Sequence, residues 1–412
     1  MTLADYWGLI RTNRNFRLLW LAQIVSELGD WLYAVVIYSL LLERTGTAMA
    51  VASAVVLQVL PQVITSPMAG VINDRLRRRS VMIFADLVRV VIVLGMLLAI
   101  RQDVIWPIYI LLLFETVMWG LFEPGRSALL PNLTRDGRET LVANTLSSTT
   151  WSFNLAIGST LGGLLAVWLG RDVAFLINAI SFVVSALLLA RIKVEEPHAE
   201  GHPPLAFHDL FNFTPVLEGF RYIRRDRRLA ATILAKAGLG IMGANYVVLS
   251  IYGERIFPIG SSAMLGMSVL LGARGLGAIL GPVIGSYWAG GERARLRRGI
   301  AYGFLMGAAG YLFLSQAPNL WTAVACVTVA HSGGSIIWVF STALLQGLAE
   351  DRFRGRVFSA DYASNIIALT ASVQAAGLAV DAGSPVRIVA AGVGVALLIP
   401  ALLFSRRHVI SS

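Results

Sequence analysis

The chain has 412 residues, of which 56% are hydrophobic and only 14% are charged, and its mean hydropathy is +0.70. Because soluble domains carry about 25% charged residues, this composition excludes an ordinary soluble protein of two or three domains. The net charge of +10 is spread over many short, separate segments, so it forms no continuous groove for a nucleic-acid backbone.

Twelve apolar segments, each long enough to cross a hydrocarbon core of about 30 Å, alternate with polar joints along the chain. Lipid offers no hydrogen-bond partners to a backbone, and no segment has the alternating pattern of a membrane β-strand. We therefore predict an all-α integral membrane protein with twelve transmembrane helices. The predicted spans are residues 16–42, 47–72, 80–100, 104–130, 141–169, 173–191, 229–254, 262–289, 299–316, 320–349, 357–380 and 386–405.

Lysine and arginine residues are concentrated in every second joint, and this asymmetry predicts the orientation of the chain. Most of the 34 lie at the two termini and in the joints that follow the even-numbered spans. The exceptions are Arg44, Arg101, Arg171, Arg255 and Arg387 on the opposite side and Arg89, Arg126, Lys236 and Arg274 within spans. The positive-inside rule then predicts a multi-pass protein of the cytoplasmic (inner) membrane with both termini in the cytoplasm.

Acidic residues lie in the middle of two predicted spans. Glu27 and Asp30 are three residues apart, hence on one face of the first span, and Glu115 has a similar position in the fourth. A charge at the bilayer centre is costly, and burial favours the neutral form of a carboxyl group. These three residues are therefore candidates for proton coupling. The alternative is a structural hydrogen bond, or an ion pair with Arg126 or Arg274.

Other polar and aromatic side chains recur along the predicted helices at spacings that would line a wet cavity. Such surfaces suit an amphiphilic organic molecule better than a small inorganic ion, although aromatic stripes more often serve packing. The candidate cavity residues are Gln58, Gln62, Trp119, Asn154, Lys236, Asn245, Arg274, His331, Trp338 and Asn365.

The central joint divides the chain. Residues 195–204 are polar and proline-rich, as in a linker, whereas apolar residues recur at helical spacing over 210–224. The second pattern predicts an amphipathic helix, either on the inner membrane surface or packed beneath the protein.

A weak internal repeat supports a division into two halves. Residues 66–70 recur as 281–285, and residues 127–131 recur as 342–346, at the same shift. Two pseudo-symmetric six-helix bundles with a binding site near mid-membrane are therefore predicted. The predicted boundaries are 1–191 for the N-terminal bundle, 192–228 for the cytoplasmic linker and 229–412 for the C-terminal bundle.

The second half has no acidic residue at the positions that correspond to Glu27 and Asp30. When the two halves are aligned at their first spans, these positions are Gly238 and Ile241. This one-sidedness favours a functional role for the acids over a role in the scaffold.

Five segments resemble the major facilitator superfamily, and within it the exporter branch that contains macrolide efflux proteins and the enterobactin exporter. They are residues 13–17, 70–79, 85–89, 124–131 and 219–223. The resemblance implies two six-helix bundles that operate by alternating access. It also implies that the first, fourth, seventh and tenth helices line the central cavity.

The joint after the second span is similar to the superfamily loop G-x-x-x-D-R-x-G-R-R, with Arg77 where a glycine usually stands. The resemblance implies a conformational latch. In it, Asp74 would accept from the N-terminus of a neighbouring helix, and the arginines would pair with carboxylates and lipid phosphates. The structural alternative is a tight turn with topological anchors. The predicted latch residues are Gly70, Asp74, Arg75, Arg78 and Arg79.

The energy source follows from a missing motif. There is no G-x-x-x-x-G-K-[ST] loop for ATP, so an ion gradient is expected, and isolated carboxyl groups favour protons over sodium. The leading prediction is a proton-coupled exporter (antiporter) of amphiphilic small molecules such as drugs or siderophores. A lipid or lysophospholipid translocator and a non-transporting membrane sensor are the alternatives.

Neither an enzyme nor a cofactor is expected. Only His331 of the five histidines lies within a span, and no pairing of nucleophile and base is recognisable. The expected partners are the substrate, protons and membrane lipids, with no metal and no nucleic acid, and the expected oligomeric state is a monomer.

Overall fold

The computed structural model describes residues 3–196, 221–260, 263–290 and 292–405. Within these ranges the regular elements are helical, and no β-strand is present. They are α1 (Leu3–Thr12), α2 (Arg14–Thr45), α3 (Ala48–Val59), α4 (Pro61–Arg75), α5 (Arg78–Arg101), α6 (Trp106–Leu133), α7 (Gly137–Leu169), α8 (Arg171–Ala190), α9 (Arg227–Leu239), α10 (Asn245–Ile251), α11 (Ala263–Ala289), α12 (Arg293–Ser315), α13 (Leu320–Leu348), α14 (Asp351–Asp381) and α15 (Val386–Ser405). Residues 221–225 are also helical.

Eleven segments of the described chain are long and apolar enough to cross a membrane. They coincide with eleven of the predicted spans, counting α3 and α4 as one span and Arg228–Ile256 as another. The remaining predicted span, 299–316, lies within α12, which has 23 residues but is less apolar. Arginines fill the first turns of α12, and glycine and tyrosine recur in the rest of it. The all-α membrane fold is therefore confirmed, while the count of twelve spans stays a prediction.

The packing of the chain divides it into two compact units. Of the described residues, 3–36 and 57–196 form unit 1, and 37–56 and 221–405 form unit 2. The predicted surface helix over 210–224 lies mostly outside the described residues. At the end of that stretch, Ile223 is buried in unit 2 against Leu229 and Leu345. The predicted domain boundaries at 192 and 228 stay a prediction.

A short helix at the start of unit 1 was not predicted from the sequence. Leu9 of α1 is buried in an apolar cluster with Met82, Leu133 and Ile192. An exposed ion pair between Arg138 and Asp5, with Nη2 and Oδ1 3.0 Å apart, links α1 to α7. The basic N-terminal segment is therefore a folded part of unit 1 as well as a topological signal.

Glycines allow helix pairs in both units to approach at backbone distance. A Cβ atom at Gly162 of α7 would overlap the backbone of Leu32 in α2, and one at Gly281 of α11 would overlap the carbonyl of Ser332 in α13. Close packing is the structural role that small residues have in membrane helices. The first of these contacts brings α7 against the helix that carries Glu27 and Asp30.

The seventh predicted span is not a continuous α-helix. A 3₁₀ turn (Gly240–Ala244) follows α9, and a π turn (Tyr252–Ile256) follows α10. Ser372 of α14 compensates for the altered backbone bonding, because its hydroxyl donates to the carbonyl of Ile241 at 2.5 Å and accepts from the N–H of Ala244 at 3.1 Å. This interruption positions α9 and α10 against α14 in unit 2.

A carboxylate at the end of α14 caps another helix of unit 2. The backbone N–H groups of Ala48 and Met49, at the start of α3, donate to Asp381 at 2.7 and 2.9 Å. Nearby, Arg255 donates to the carbonyl of Gly46 at 2.9 Å. Charge at a helix N-terminus is favourable, so these contacts fix the start of α3.

Candidate functional site

One arginine in unit 1 lies within ion-pair distance of three carboxyl groups. Arg89 Nη2 lies 2.6 Å from Asp30 Oδ2 and 3.5 Å from Glu115 Oε1, and Arg89 Nη1 lies 3.6 Å from Asp86 Oδ1. The hydroxyl of Tyr33 donates to the second oxygen of Glu115. We call these five residues the Arg89 cluster. Its members come from α2, α5 and α6, so it joins three helices.

The Arg89 cluster lies in surroundings that exclude water. The guanidinium carbon of Arg89 is 3.9 Å from the ring centroid of Phe182, and the side chain of Arg89 is only 2% exposed. Asn178 of α8 donates to Asp30 over a long 3.5 Å. Because an arginine side chain stays charged, its low exposure requires close ionic partners, and the carboxyl groups supply them.

The Arg89 cluster contains more acid than base. Three carboxyl groups surround one guanidinium, and full ionisation would leave two uncompensated negative charges in a buried site. Uncompensated charge is costly in a membrane interior. Both oxygens of Asp86 also lack a hydrogen-bond partner. The composition of the cluster therefore favours retained protons on its carboxyl groups.

Glu27 has a different environment from Asp30, although both lie on α2. The side-chain amide of Gln23 donates to Glu27 Oε1 at 2.9 Å, and that of Asn154 in α7 donates to Glu27 Oε2 at 3.1 Å. Glu27 is half-buried and forms no ion pair within the part of the chain that the structure describes. It is therefore a carboxyl group held by neutral donors.

One alternative predicted an ion pair between Arg126 and an acid of the first span, but Arg126 does not pair with Glu27. Its guanidinium binds both carboxylate oxygens of Glu123, with Nε 2.8 Å from Oε2. A further nitrogen, Nη1, donates to Gln23 Oε1 at 3.3 Å. Gln23 therefore bridges the Arg126–Glu123 pair and Glu27. The short i, i+3 spacing on α6 explains why Glu123 is the partner of Arg126.

A buried pair of opposite charges lies in the described part of unit 2. Lys236 Nζ of α9 lies 2.5 Å from Asp361 Oδ2 of α14, and the two side chains are 4% and 0% exposed. The same ammonium nitrogen lies 4.2 Å from the ring centroid of Trp338. The side-chain amide of Asn365 donates to the carbonyl of Lys236 at 2.8 Å. Three predicted cavity residues, Lys236, Trp338 and Asn365, therefore come together around Asp361.

Two further predicted cavity residues contact tyrosines in unit 2. Arg274 donates to the hydroxyl of Tyr246 at 3.0 Å, and its guanidinium carbon is 4.5 Å from the ring centroid of the same tyrosine. His331 is buried, and its Nε2 is 3.4 Å from the hydroxyl of Tyr311.

The other predicted cavity residues do not form one group. Asn245 donates to the backbone of Met242 at 2.6 Å, next to the interruption after α9. Gln62 is buried and donates to the carbonyl of Gln58 one turn earlier at 2.7 Å. Trp119 is half-buried on α6. Their contacts do not assign these four residues a shared ligand.

The arginines of the predicted latch bind backbone carbonyls as well as a carboxylate. Arg78 and Arg79 donate to the backbone carbonyls of Ala128 and Ile192, at 2.9 and 2.5 Å. Asp74 is exposed and lies 3.7 Å from Arg78, and no backbone N–H of the described chain donates to it. Arg78 therefore pairs with one carboxylate and also binds a backbone carbonyl, and the role of the segment as a conformational latch stays a prediction. The remaining predicted latch residues, Gly70 and Arg75, lie in α4.

The family of the chain follows from comparison with known proteins. The family model of the Major Facilitator Superfamily matches residues 19–360. The chain belongs to this superfamily. A protein of Bacillus subtilis (strain 168) named as a proposed bacilysin exporter is 24% identical over 357 residues, which cover 85% of this chain and 84% of that protein. Macrolide efflux protein A of Streptococcus pyogenes is 23% identical over 362 residues, which cover 84% of each chain.

Solved structures share the fold of this superfamily member at low sequence identity. A POT family transporter gives a TM-score of 0.75 at 13% identity, over 95% of both chains. The nucleoside transporter NupG gives a TM-score of 0.70 at 12% identity, over 94% of this chain and 98% of that one. The predicted membership in the superfamily and the likeness to its efflux proteins are thus confirmed. The chain is a transporter of the major facilitator superfamily.

Sequence reasoning missed two residues that organise the interior of this superfamily member. Arg89 was noted as a charge within a span and as part of the segment 85–89, but no partner was predicted for it, although its i, i+3 spacing from Asp86 was a signal of a buried pair. Asp361 was not singled out at all. The second half therefore does carry a buried acid, but on α14 and not at the positions aligned with Glu27 and Asp30.

Proposed function

We propose that this transporter is a proton-coupled exporter (antiporter) of amphiphilic small molecules. The observation that carries the proposal is the environment of Glu27. This carboxyl group lies near the middle of an apolar helix, is half-buried, and is held by two neutral amides. A group of this kind gains and loses a proton without breaking an ion pair, which is the requirement for a proton carrier.

Asp30 and Glu115 have a supporting role in this proposal. Asp30 is bound to Arg89 at 2.6 Å, and Glu115 is bound to Arg89 and Tyr33. Ionising or neutralising either group changes the charge balance of the whole Arg89 cluster, because its members share one guanidinium. We assign the cluster to positioning α2 against α5 and α6. Of the three acids that the sequence grouped together, Glu27 therefore carries the proton in this proposal, and Asp30 and Glu115 hold the helices together.

The substrate class is proposed from unit 2 and from the relatives. Trp338 is 38% exposed and offers an aromatic face beside the Lys236–Asp361 pair. An exposed aromatic ring next to a compact charged pair suits a molecule with apolar and polar parts. The names of two relatives, an exporter of bacilysin and an efflux protein for macrolides, support the same class and the outward direction.

The remaining parts of the proposal concern location and partners. The arginine-rich joints support a cytoplasmic (inner) membrane location with both termini in the cytoplasm. We propose a monomer that is driven by the proton gradient and uses neither a cofactor nor a catalytic site. Among the described residues, no three histidine, cysteine, aspartate or glutamate side chains lie close enough together to hold a metal ion.

Transport by purified protein in liposomes tests the coupling. A macrolide, bacilysin and an amphiphilic dye are each followed with and without an imposed pH gradient. Wild-type protein is expected to move at least one of them faster with the gradient. In Glu27→Gln this acceleration should fall about tenfold or more, which corresponds to about 1.4 kcal/mol. Asp172→Asn, which alters an exposed pair with Arg101, is the matched control and should keep the acceleration.

Three results would contradict the proposal in different ways. A gradient response that is equal in wild type and Glu27→Gln would remove Glu27 as the carrier. Movement of a labelled phospholipid that is indifferent to any gradient would favour a lipid translocator. Absence of movement for every compound, with protein that still binds one of them, would favour a membrane sensor.

A further inference from the structure

Three arginines gather at one end of the helices of unit 2, away from the polar groups described above. Arg228 of α9 and Arg297 of α12 line the same small opening, which Leu344 of α13 also lines. Arg293, at the start of α12, lines a neighbouring cavity that shares Leu344. The three arginines therefore line two openings that share Leu344 of α13.

Two of these arginines, Arg293 and Arg297, lack a local acidic partner in the described part of the chain. Glu292, the nearest acid in the sequence, is bound by Arg295 at 2.8 Å. Among the side chains that the structure describes, no carboxylate lies within ion-pair distance of Arg293 or Arg297. Arg297 precedes the predicted span, and its pKa is lowered by burial and then by the charges of Arg228 and Arg293. The arginines therefore repel one another and would bind an anion favourably.

The neighbouring cavity has the shape and chemistry of a site for an apolar chain. Its volume is about 440 Å³, within the range of about 300–1,000 Å³ that is typical of ligand pockets. It lies between α11, α12 and α13, and its apolar wall includes Leu296, Val339, Phe340 and Leu344. Arg293 is the one charged lining residue. A positive end and an apolar body together suit an amphiphile with an anionic head.

Exposed aromatic residues beside the cavity mark the level of the membrane interface. Tyr287 is 94% exposed, and Trp288 and Tyr302 are exposed and in edge contact, with centroids 5.7 Å apart. One turn earlier on α11, Val283 and Ile284 are also exposed. Aromatic side chains followed by apolar ones are typical of the boundary between lipid headgroups and acyl chains.

We propose that this region, the Arg293 groove, is a binding site for one anionic phospholipid. The phosphate lies between Arg293 and Arg297, with Arg228 adding positive charge, and an acyl chain lies along Phe340 and Leu344. Basic pockets between membrane helices favour anionic headgroups, and burial of each acyl CH₂ contributes about 0.8 kcal/mol. A free phosphate ion would leave the apolar wall unused. The proposal does not depend on proton coupling or on the exported substrate.

Binding of defined lipids to the full chain tests the Arg293 groove. Purified protein is titrated in detergent with phosphatidylglycerol and with phosphatidylcholine, and bound lipid is counted by native mass spectrometry. Wild-type protein is expected to retain one phosphatidylglycerol molecule at least tenfold more strongly than phosphatidylcholine. Double substitution Arg293→Ala with Arg297→Ala should abolish this preference. Arg295→Ala, which removes an arginine already paired with Glu292, is the matched control and should keep it.

Competition experiments on the unaltered protein separate the possible ligands without any risk of misfolding. Inorganic phosphate and glycerol phosphate should fail to displace phosphatidylglycerol at concentrations at which short-chain phosphatidylglycerol displaces it. Displacement by inorganic phosphate at the same concentration would overturn the lipid assignment. Equal retention of the two phospholipids by wild-type protein, or an unchanged preference in the double variant, would also overturn it.

Discussion

The two units of this transporter hold buried charge in opposite ways. In unit 1 one guanidinium, that of Arg89, faces three carboxyl groups, and Glu27 lies apart on neutral amides. In unit 2 one ammonium group, that of Lys236, faces one carboxylate, that of Asp361. The Arg89 cluster has two more acidic groups than basic ones, whereas the Lys236–Asp361 pair has one of each. In the proposed mechanism, Glu27 of unit 1 exchanges protons, while the pair in unit 2 keeps its charge.

Loss of the balanced pair in unit 2 should have the largest effect on stability. Asp361→Asn would leave the ammonium group of Lys236 buried without a counter-charge, and breaking such a pair costs about 3–5 kcal/mol. We expect a marked fall in the thermal unfolding midpoint of the purified protein. Joint replacement of Lys236 and Asp361 by methionine and leucine should restore most of the loss, because it removes both charges. A single variant that is as stable as wild type would contradict the balanced description of unit 2.

Replacing an aspartate by asparagine in unit 1 should have a much smaller effect on stability. Asp86→Asn removes one of three carboxyl groups around Arg89 and leaves two in place. Because Asp86 is 3.6 Å from Arg89 and its oxygens lack hydrogen-bond partners, we expect a change within about 1 kcal/mol. The measurement is the same unfolding midpoint. A loss as large as that of Asp361→Asn would show that unit 1 has no excess of acid.

The membrane-spanning helices could be predicted from the sequence, because apolar length is a property of one segment at a time. Glu27, Asp30 and Glu115 all lie on helices that are long and apolar enough to cross a membrane. Even so, Glu27 and Asp30, which share a helical face, have different neighbours: Asn154 of α7 for the former and Arg89 of α5 for the latter. Spacing along one helix does not identify the helix that packs against it.

The partners of buried charges were harder to predict for the same reason. Asp361 lies on α14, 125 positions after Lys236, and nothing in the local pattern of either helix links the two. The break after α9 also depends on a distant residue, Ser372, which completes the backbone bonding of the 3₁₀ turn. Such contacts depend on how helices pack against one another, which a single sequence does not specify.

The assignment of Glu27 as the proton carrier is the central claim, and infrared difference spectroscopy tests it most directly. Protein in lipid nanodiscs is moved from about pH 9 to about pH 6, a range in which exposed carboxyl groups with ordinary pKa values stay ionised, and the carboxylic-acid C=O band that appears is recorded. A proton permanently retained in the Arg89 cluster does not contribute to the difference. The account predicts that the band is lost in Glu27→Gln and kept in Asp30→Asn. A band that survives in Glu27→Gln and disappears in Asp30→Asn would contradict it.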